Sequence, residues 1–139
     1  MKNNGLKIFY SIVTLLWLGI IFWSSAISDY SSVPGQADSQ SDFLSSIVHL
    51  IMYAILCFLF IKLFMSYGLE KKKSIAYGFL AAIVYGLIDE FHQFFVPDRE
   101  MHFGDWLLDA VGAFVVVCLY NVAGRIPLAF KPGDEGQCE

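Results

Sequence analysis

The sequence predicts an all-α, polytopic membrane protein, a four-transmembrane-helix bundle with both termini cytoplasmic. Hydrophobic residues make up 57% of the 139 positions and charged residues 16%, with a mean hydropathy of +0.59, well above a typical soluble domain. Four apolar runs are each about 20 residues or longer, enough to cross a hydrocarbon core of roughly 30 Å. Backbone groups in lipid must pair within their own segment, so each run is expected to be a helix. The runs cover residues 6–27, 43–67, 74–96 and 103–123.

The domain organisation follows from the lengths of these runs. We expect residues 1–124 to form one transmembrane domain and residues 125–139 to be a cytoplasmic tail, too short for a second domain. The first run is too long for the apolar core of a signal peptide, which is usually about 7 to 15 residues, so we interpret it as a transmembrane helix. The three cysteines show no paired spacing and indicate neither a disulfide framework nor a zinc knuckle.

The basic residues predict the orientation. If the four runs span, eight of the nine Lys and Arg residues lie on one side, with Lys62 reaching that side from the end of the second helix, and only Arg99 lies on the other. The positive-inside rule then places the termini and the Lys-rich loop in the cytoplasm. The eight residues are Lys2, Lys7, Lys62, Lys71, Lys72, Lys73, Arg125 and Lys131.

The outward-facing turn between the third and fourth helices is short. Pro97 lacks an N–H group and disfavours a helical residue before it, so the third helix should end near Val96. A connection of about six residues makes the two helices antiparallel neighbours.

Polar residues from all four helices converge at one depth near the outer side. At about 1.5 Å per residue, Asp89 lies about 10 Å from its outer helix end, Asp109 about 9 Å, His49 about 8 Å and Ser24 about 5 Å. Charges at such depth are costly and face a partner or a cavity, so this convergence predicts an outward-facing polar pocket.

Helical spacing predicts which faces meet. Asp89 shares a face with His92 and Gln93, and below it Gly78, Ala82 and Gly86 form a small-residue stripe that favours close helix packing.

On the fourth helix, Asp105, Asp109 and Gly112 form a similar stripe, so Asp109 is expected to face Asp89. On the second helix, His49 and Tyr53 stack at a spacing of four and close the group, whereas Glu90 points about 100° away from Asp89.

This pattern resembles the VanZ-like family. It comprises a His opening the second helix, D-E-x-H-Q ending the third, P-x-R in the turn and D-x-x-x-D-x-x-G opening the fourth, across residues 17–112. The chain departs from the family in reading FWSSAIS where a Ser-Ser-Gln element is common, and in carrying Asp109 where Asn is common. The matching positions are His49, Tyr53, Asp89, Glu90, His92, Gln93, Arg99, Asp105, Asp109 and Gly112.

The resemblance implies a small bacterial membrane protein whose family namesake is associated with resistance to the lipoglycopeptide teicoplanin. Its expected partner is a membrane lipid, a lipid-linked cell-wall precursor or a lipoglycopeptide antibiotic, and no nucleic acid. The acidic outer layer suits a cationic or sugar-like group better than a bare phosphate.

Three alternatives stay open. The pocket binds an amphiphile through His49, Tyr53, Glu90, Gln93, Arg99 and Asp105. Alternatively it is an enzyme site in which Asp89, His92 and Asp109 are catalytic, as a hydrolase or transferase acting on a lipid headgroup. A divalent metal held by His49, His92, Asp89 and Asp105 is one version of that enzyme, although no diagnostic metal spacing is present. In the third alternative the polar cluster only holds the bundle together. A proton or ion pathway is disfavoured because the inner halves of the helices carry no matching polar set.

Overall fold

The computed structural model describes residues 3–26, 38–96 and 103–123, and four helices account for almost all of them. Each helix is long and apolar enough to cross a membrane, so the predicted all-α, four-helix architecture is confirmed. The cytoplasmic location of the termini stays a prediction. The helices are α1 (Asn3–Ala26), α2 (Asp38–Ser66), α3 (Lys71–Gln93) and α4 (Phe103–Ala123).

The observed helix ends differ from the predicted ones where a helix extends beyond its apolar run or stops before the run ends. α2 begins at residue 38 instead of 43 and α3 at residue 71 instead of 74, because polar residues can continue a helix beyond the apolar run. α3 ends at Gln93 instead of Val96: the amides of Phe95 and Val96 bond to the carbonyls of His92 and Gln93, three residues back. The chain thus tightens into a turn before Pro97.

The turn between α2 and α3 is a Schellman motif centred on Gly68. The Leu69 amide bonds to the Phe64 carbonyl at 3.2 Å and the Gly68 amide to the Met65 carbonyl at 3.0 Å. Gly68 has φ +92°, which an L side chain rarely adopts. The glycine therefore sets the short reversal that makes α2 and α3 antiparallel.

Replacing Gly68 with alanine should lower the free energy of unfolding by about 1–2 kcal/mol, because a Cβ disfavours the left-handed conformation. Thermal unfolding of the purified protein in detergent measures this loss. Gly68→Asn is the control, since Asn tolerates that conformation better. No neighbouring atom lies within 4 Å of a Cβ at this position, so any loss of stability comes from the backbone conformation. Equal stability of the alanine and wild-type proteins would contradict the expectation.

α2 is the centre of the bundle and packs against the other three helices. α1 lies mainly on α2 and touches α3 over a shorter length, whereas α4 packs against α2 and α3. Among the described residues α1 makes no backbone approach to α4. Consecutive helices run antiparallel, so the ends of α1 and α3 meet the beginnings of α2 and α4.

Small residues create the closest helix approaches. A Cβ at Gly78 would lie 2.6 Å from Ile61 Cγ1 and 3.0 Å from the Ile61 amide nitrogen, and a Cβ at Gly112 would collide with the carbonyl oxygen of Leu50. Ala82 is completely buried. The small-residue stripe of α3 is therefore buried in the bundle, and Gly112 brings α4 against α2 one turn from Asp109.

Candidate functional site

Six polar residues gather at the end of the bundle where α1 and α3 finish and α2 and α4 begin, and we call them the polar layer. All four helices contribute to it. Except for His49, whose side chain is 14% exposed, each member is 3% exposed or less. The layer consists of Ser25, His49, Tyr53, Asp89, Gln93 and Asp109.

Asp89 accepts hydrogen bonds from α1 and from its own helix. Ser25 Oγ donates to Asp89 Oδ2 at 2.7 Å, and Gln93 Nε2 donates to the same oxygen at 3.3 Å. Gln93 Nε2 also lies 3.5 Å from Ser25 Oγ, which closes a three-residue network. Asp89 Oδ1 is buried and has no hydrogen-bond partner among the described residues. Ser25 and Gln93 thus hold one carboxylate oxygen in place, while the other makes no well-aligned hydrogen bond to a described residue.

Asp109 is held in the same way from α2. His49 Nδ1 lies 3.2 Å from Asp109 Oδ1, within hydrogen-bond and ion-pair distance. The second oxygen, Oδ2, is buried and makes no hydrogen bond within the described part of the chain. It points toward Gly86, where an added Cβ would lie 3.2 Å from it. Gly86 therefore leaves room beside this carboxylate that any other residue would fill.

Tyr53 lies close to both carboxylates. Its ring stacks on His49 with centroids 6.4 Å apart, and its edge lies 3.3 Å from the Cβ position of Gly86. The hydroxyl interacts electrostatically with Asp89 and Asp109 and lies within hydrogen-bonding range of the Asp89 carboxylate, although without the geometry of a well-aligned bond.

Three buried oxygens in this layer therefore have unused hydrogen-bonding capacity. They are one oxygen each from Asp89 and Asp109 and the hydroxyl of Tyr53. Buried polar atoms without partners are rare in folded proteins, because each costs about 1–3 kcal/mol. A ligand group carrying several N–H or O–H donors would satisfy these atoms.

The structure does not bring every predicted site residue into this network. The His92 ring stacks on Phe22 of α1 at 4.3 Å, and its buried Nε2 has no hydrogen-bond partner among the described residues. Asp105 is half-buried and lies within electrostatic range of His49 without a direct bond to it. Glu90 is completely buried although it points away from Asp89. Arg99 lies outside the described residues.

The expected pairing of faces is only partly what the structure shows. Asp89 and Asp109 interact electrostatically, but each has its own hydrogen-bonding partners and no bond joins the two. Asp109 Oδ2 is directed at Gly86, almost one turn below Asp89. The two carboxylates are therefore neighbours across the α3–α4 contact, staggered along it.

Sequence reasoning missed Ser25 as a member of the layer. Ser24 lies at the predicted polar depth, but its hydroxyl only approaches the Met52 sulfur at 3.9 Å, whereas the Ser25 hydroxyl donates to Asp89. Adjacent residues on a helix differ by about 100°, so depth alone could not choose between them. Burial of Thr14, lower on α1, was also missed.

Two tryptophans and a tyrosine form hydrogen bonds between helices near the polar layer. Trp17 Nε1 donates to the Met52 carbonyl at 3.0 Å, and Trp106 Nε1 donates to the Ile83 carbonyl at 3.2 Å. Tyr85, one turn below Asp89, donates to the Leu18 carbonyl at 2.8 Å. These bonds join α1 to α2, α4 to α3 and α3 to α1 close to the polar layer.

The arrangement of His, Cys, Asp and Glu side chains bears on the alternative of a metal-dependent enzyme. Among the described side chains, those of residues 4–26, 47–96 and 103–123, no three of His, Cys, Asp or Glu are grouped so that they could hold a metal ion. His92 in particular turns to Phe22 and not to the carboxylates. The described residues therefore fit hydrogen-bond acceptance better than metal coordination.

Comparison with known proteins identifies the family of the chain from its sequence. Neither the curated proteins nor the solved structures contain a match to it. The sequence model of the VanZ/LLP1 family matches residues 8–124, a range that includes α1 from Ile8 onward, the whole of α2, α3 and α4, and every member of the polar layer. The resemblance carried by the D-E-x-H-Q and D-x-x-x-D-x-x-G motifs is thereby confirmed: this chain belongs to the VanZ/LLP1 family.

Proposed function

We propose that this protein binds the polar headgroup of an amphiphile in the polar layer, from the outer side of a bacterial cell membrane. The amphiphile is a lipid-linked cell-wall precursor or a lipoglycopeptide, and binding contributes to glycopeptide resistance of the teicoplanin type. The observation that carries the proposal is the pair of buried carboxylates in which one oxygen each, Asp89 Oδ1 and Asp109 Oδ2, makes no well-aligned hydrogen bond to a described residue.

The charge on the outer side of the protein indicates the kind of headgroup that the polar layer would accept. In the predicted orientation nine of the thirteen acidic residues lie on the outer side, against the single basic residue Arg99. A bare phosphate would be repelled, whereas an ammonium group or a sugar offers the donors that the carboxylates and Tyr53 can accept. The acidic residues are Asp29, Asp38, Asp42, Asp89, Glu90, Asp98, Glu100, Asp105 and Asp109.

The outward orientation supports access to such a ligand. The bias of lysines toward the other side of the membrane supports a position of the polar layer near the outer leaflet, where a cell-wall precursor or glycopeptide would reach it. An amphiphile would keep its hydrocarbon chain among the helices or in the lipid and bring its polar group to this depth.

Asp89→Asn tests the proposal because it keeps the side-chain size and the acceptor for Ser25 while removing the charge. We expect the folded amount to be unchanged and teicoplanin binding to purified protein in nanodiscs to weaken about ten- to a hundredfold, the range for a charge-assisted hydrogen bond. Cells producing the variant should lose teicoplanin tolerance. Glu70→Gln, an exposed site at the opposite end, is the matched control.

The structural alternative makes the opposite prediction. If the layer only holds the bundle together, Asp89→Asn lowers the amount of folded protein, and tolerance falls in proportion to it. A folded Asp89→Asn protein with wild-type binding and wild-type tolerance would overturn the binding proposal outright.

A second candidate function is general acid–base catalysis on the bound headgroup. The specific observation is the pair formed by His49 and Asp109, in which the carboxylate orients an imidazole that is partly exposed. His92 has no such carboxylate partner in the described part of the chain, so His49 is the better base. Mass spectrometry of a lipid-linked precursor incubated with the protein tests this, since turnover should disappear in His49→Gln while binding persists. Metal analysis of the same preparation tests the metal-dependent version.

A further inference from the structure

A groove runs along the outside of the bundle between α2 and α4, away from the polar layer. It has a volume of about 500 Å³. The helices touch at Leu50 and Gly112 and leave this open space farther along, toward the end of α4. Its lining is apolar apart from one ammonium group and one phenol, and comprises Ala54, Ile55, Phe58, Lys62, Val116, Leu119, Tyr120 and Ala123.

The length of the groove matches one leaflet. Ala54 and Lys62 are eight residues apart on α2, which corresponds to about 12 Å along the helix axis. Half of a hydrocarbon core is about 15 Å. The groove also runs along the helices, in the direction of lipid chains in a bilayer. A single acyl chain can therefore occupy it with its headgroup at the Lys62 end.

Lys62 gives this end of the groove a positive charge. Its ammonium nitrogen lies 5.5 Å from the centroid of the Phe58 ring, which also lines the groove. No carboxylate of the described residues forms an ion pair with it. Lys73, near the same end of the bundle, is by contrast paired with Glu70 at 3.4 Å. Lys62 is thus available to an anionic group seated at the mouth of the groove.

We infer that the α2–α4 groove is a binding site for an anionic membrane phospholipid, whose acyl chain lies against Phe58 and Leu119 and whose phosphate pairs with Lys62. This site is separate from the polar layer, and the inference does not rest on the function proposed for that layer. In the predicted orientation the lipid belongs to the cytoplasmic leaflet, where anionic headgroups attract lysines.

Native mass spectrometry of the purified protein with added phosphatidylglycerol or phosphatidylcholine of identical chains tests the inference. We expect phosphatidylglycerol to bind about fivefold more tightly than phosphatidylcholine, the effect of roughly one lysine near an anionic surface. Lys62→Gln should remove that preference and Lys62→Arg should keep it. Lys73→Gln is the charge-matched control and should bind like the wild type.

A second pair of variants tests the groove itself. Leu119→Trp fills it without altering charge and should weaken binding of both lipids about fivefold or more, whereas Leu107→Trp, on the same helix but outside the groove, should not. Wild-type binding by Lys62→Gln would overturn the site. An equal loss in Lys73→Gln, or full binding by Leu119→Trp, would also overturn it, because binding would then reflect general surface charge.

Discussion

Gly112→Ala is expected to destabilise the bundle by about 2 kcal/mol, within the range of roughly 1–3 kcal/mol for overpacking a closely packed contact. The new Cβ would collide with the carbonyl oxygen of Leu50 and would lie 3.0 Å from its carbonyl carbon. Both atoms belong to the backbone of α2, so no side-chain rotation relieves the contact. The gain in helix propensity from glycine to alanine is only about 0.5–1 kcal/mol and does not offset the clash.

Gly104→Ala is the matched control on the same helix. Nothing lies within 4 Å of a Cβ at position 104, so the same substitution should leave stability unchanged or raise it slightly. Unfolding of both variants in mixed micelles measures the contrast. A Gly112→Ala protein as stable as Gly104→Ala would show that α2 and α4 do not approach as closely as the structure indicates.

The same substitution should also disturb the polar layer. Leu50 follows His49 on α2, and Gly112 follows Asp109 by three residues on α4. Separating the two helices at this contact would lengthen the 3.2 Å distance between His49 Nδ1 and Asp109 Oδ1. Ligand binding at the layer should therefore fall together with stability, although residue 112 itself offers no polar group.

The four helices could be predicted because the requirement that produces them is simple. Lipid offers no hydrogen bonds, so an apolar run of sufficient length must be helical. The ends were less predictable, because hydropathy reports where the hydrocarbon begins and not where the helix stops. The polar start of α2 at residue 38 and the lysines opening α3 at residue 71 continue helices beyond the apolar runs.

The depth of each site residue in the membrane could be predicted from the sequence, but its hydrogen-bonding partner could not. Counting residues brought His49, Asp89 and Asp109 to one level because rise per residue is constant. The choice of neighbour depends on rotation. His92 and Gln93 lie about 60° and 40° to opposite sides of Asp89, so small differences in packing decide that Gln93 joins Ser25 while His92 stacks on Phe22.

The burial of Glu90 shows what a single helical wheel leaves out. It points about 100° from Asp89, and a helix with one packed face would expose it to lipid. Both carboxylates are nevertheless buried, Glu90 completely and Asp89 to within 2%. α3 is therefore covered on two sides at this level, which depends on how the neighbouring chain is arranged and not on the spacing within α3.

Removing the imidazole of His49 should cost more when Asp109 is charged than when it is neutral. His49→Phe keeps a ring that can stack on Tyr53 but leaves the Asp109 carboxylate without its hydrogen-bond donor. Breaking a buried ion pair in this way typically costs about 3–5 kcal/mol. Because the His49 side chain is 14% exposed and water can replace part of the interaction, we expect a value near the lower limit, about 3 kcal/mol.

Asp109→Asn supplies the neutral background for a double-mutant cycle. The amide oxygen of Asn can still accept from His49, so His49→Phe should cost only about 1 kcal/mol there, the worth of an ordinary hydrogen bond. The difference gives a coupling of about 2 kcal/mol, well above the roughly 0.3–0.5 kcal/mol scatter of independent sites. Lys73→Gln, at the other end of the bundle, should be additive with Asp109→Asn.

The coupling decides what kind of site the polar layer is. A large value means that Asp109 is held as a charged group by His49, with Oδ2 beside Gly86 free to accept a ligand's donor. Additive effects would instead mean that the carboxyl behaves as a neutral acid, which would favour the structural role of the layer. The single variants His49→Phe and Asp109→Asn keep side chains of similar size. Their unfolding free energies therefore reflect the loss of charge and hydrogen bonding more than the creation of a cavity.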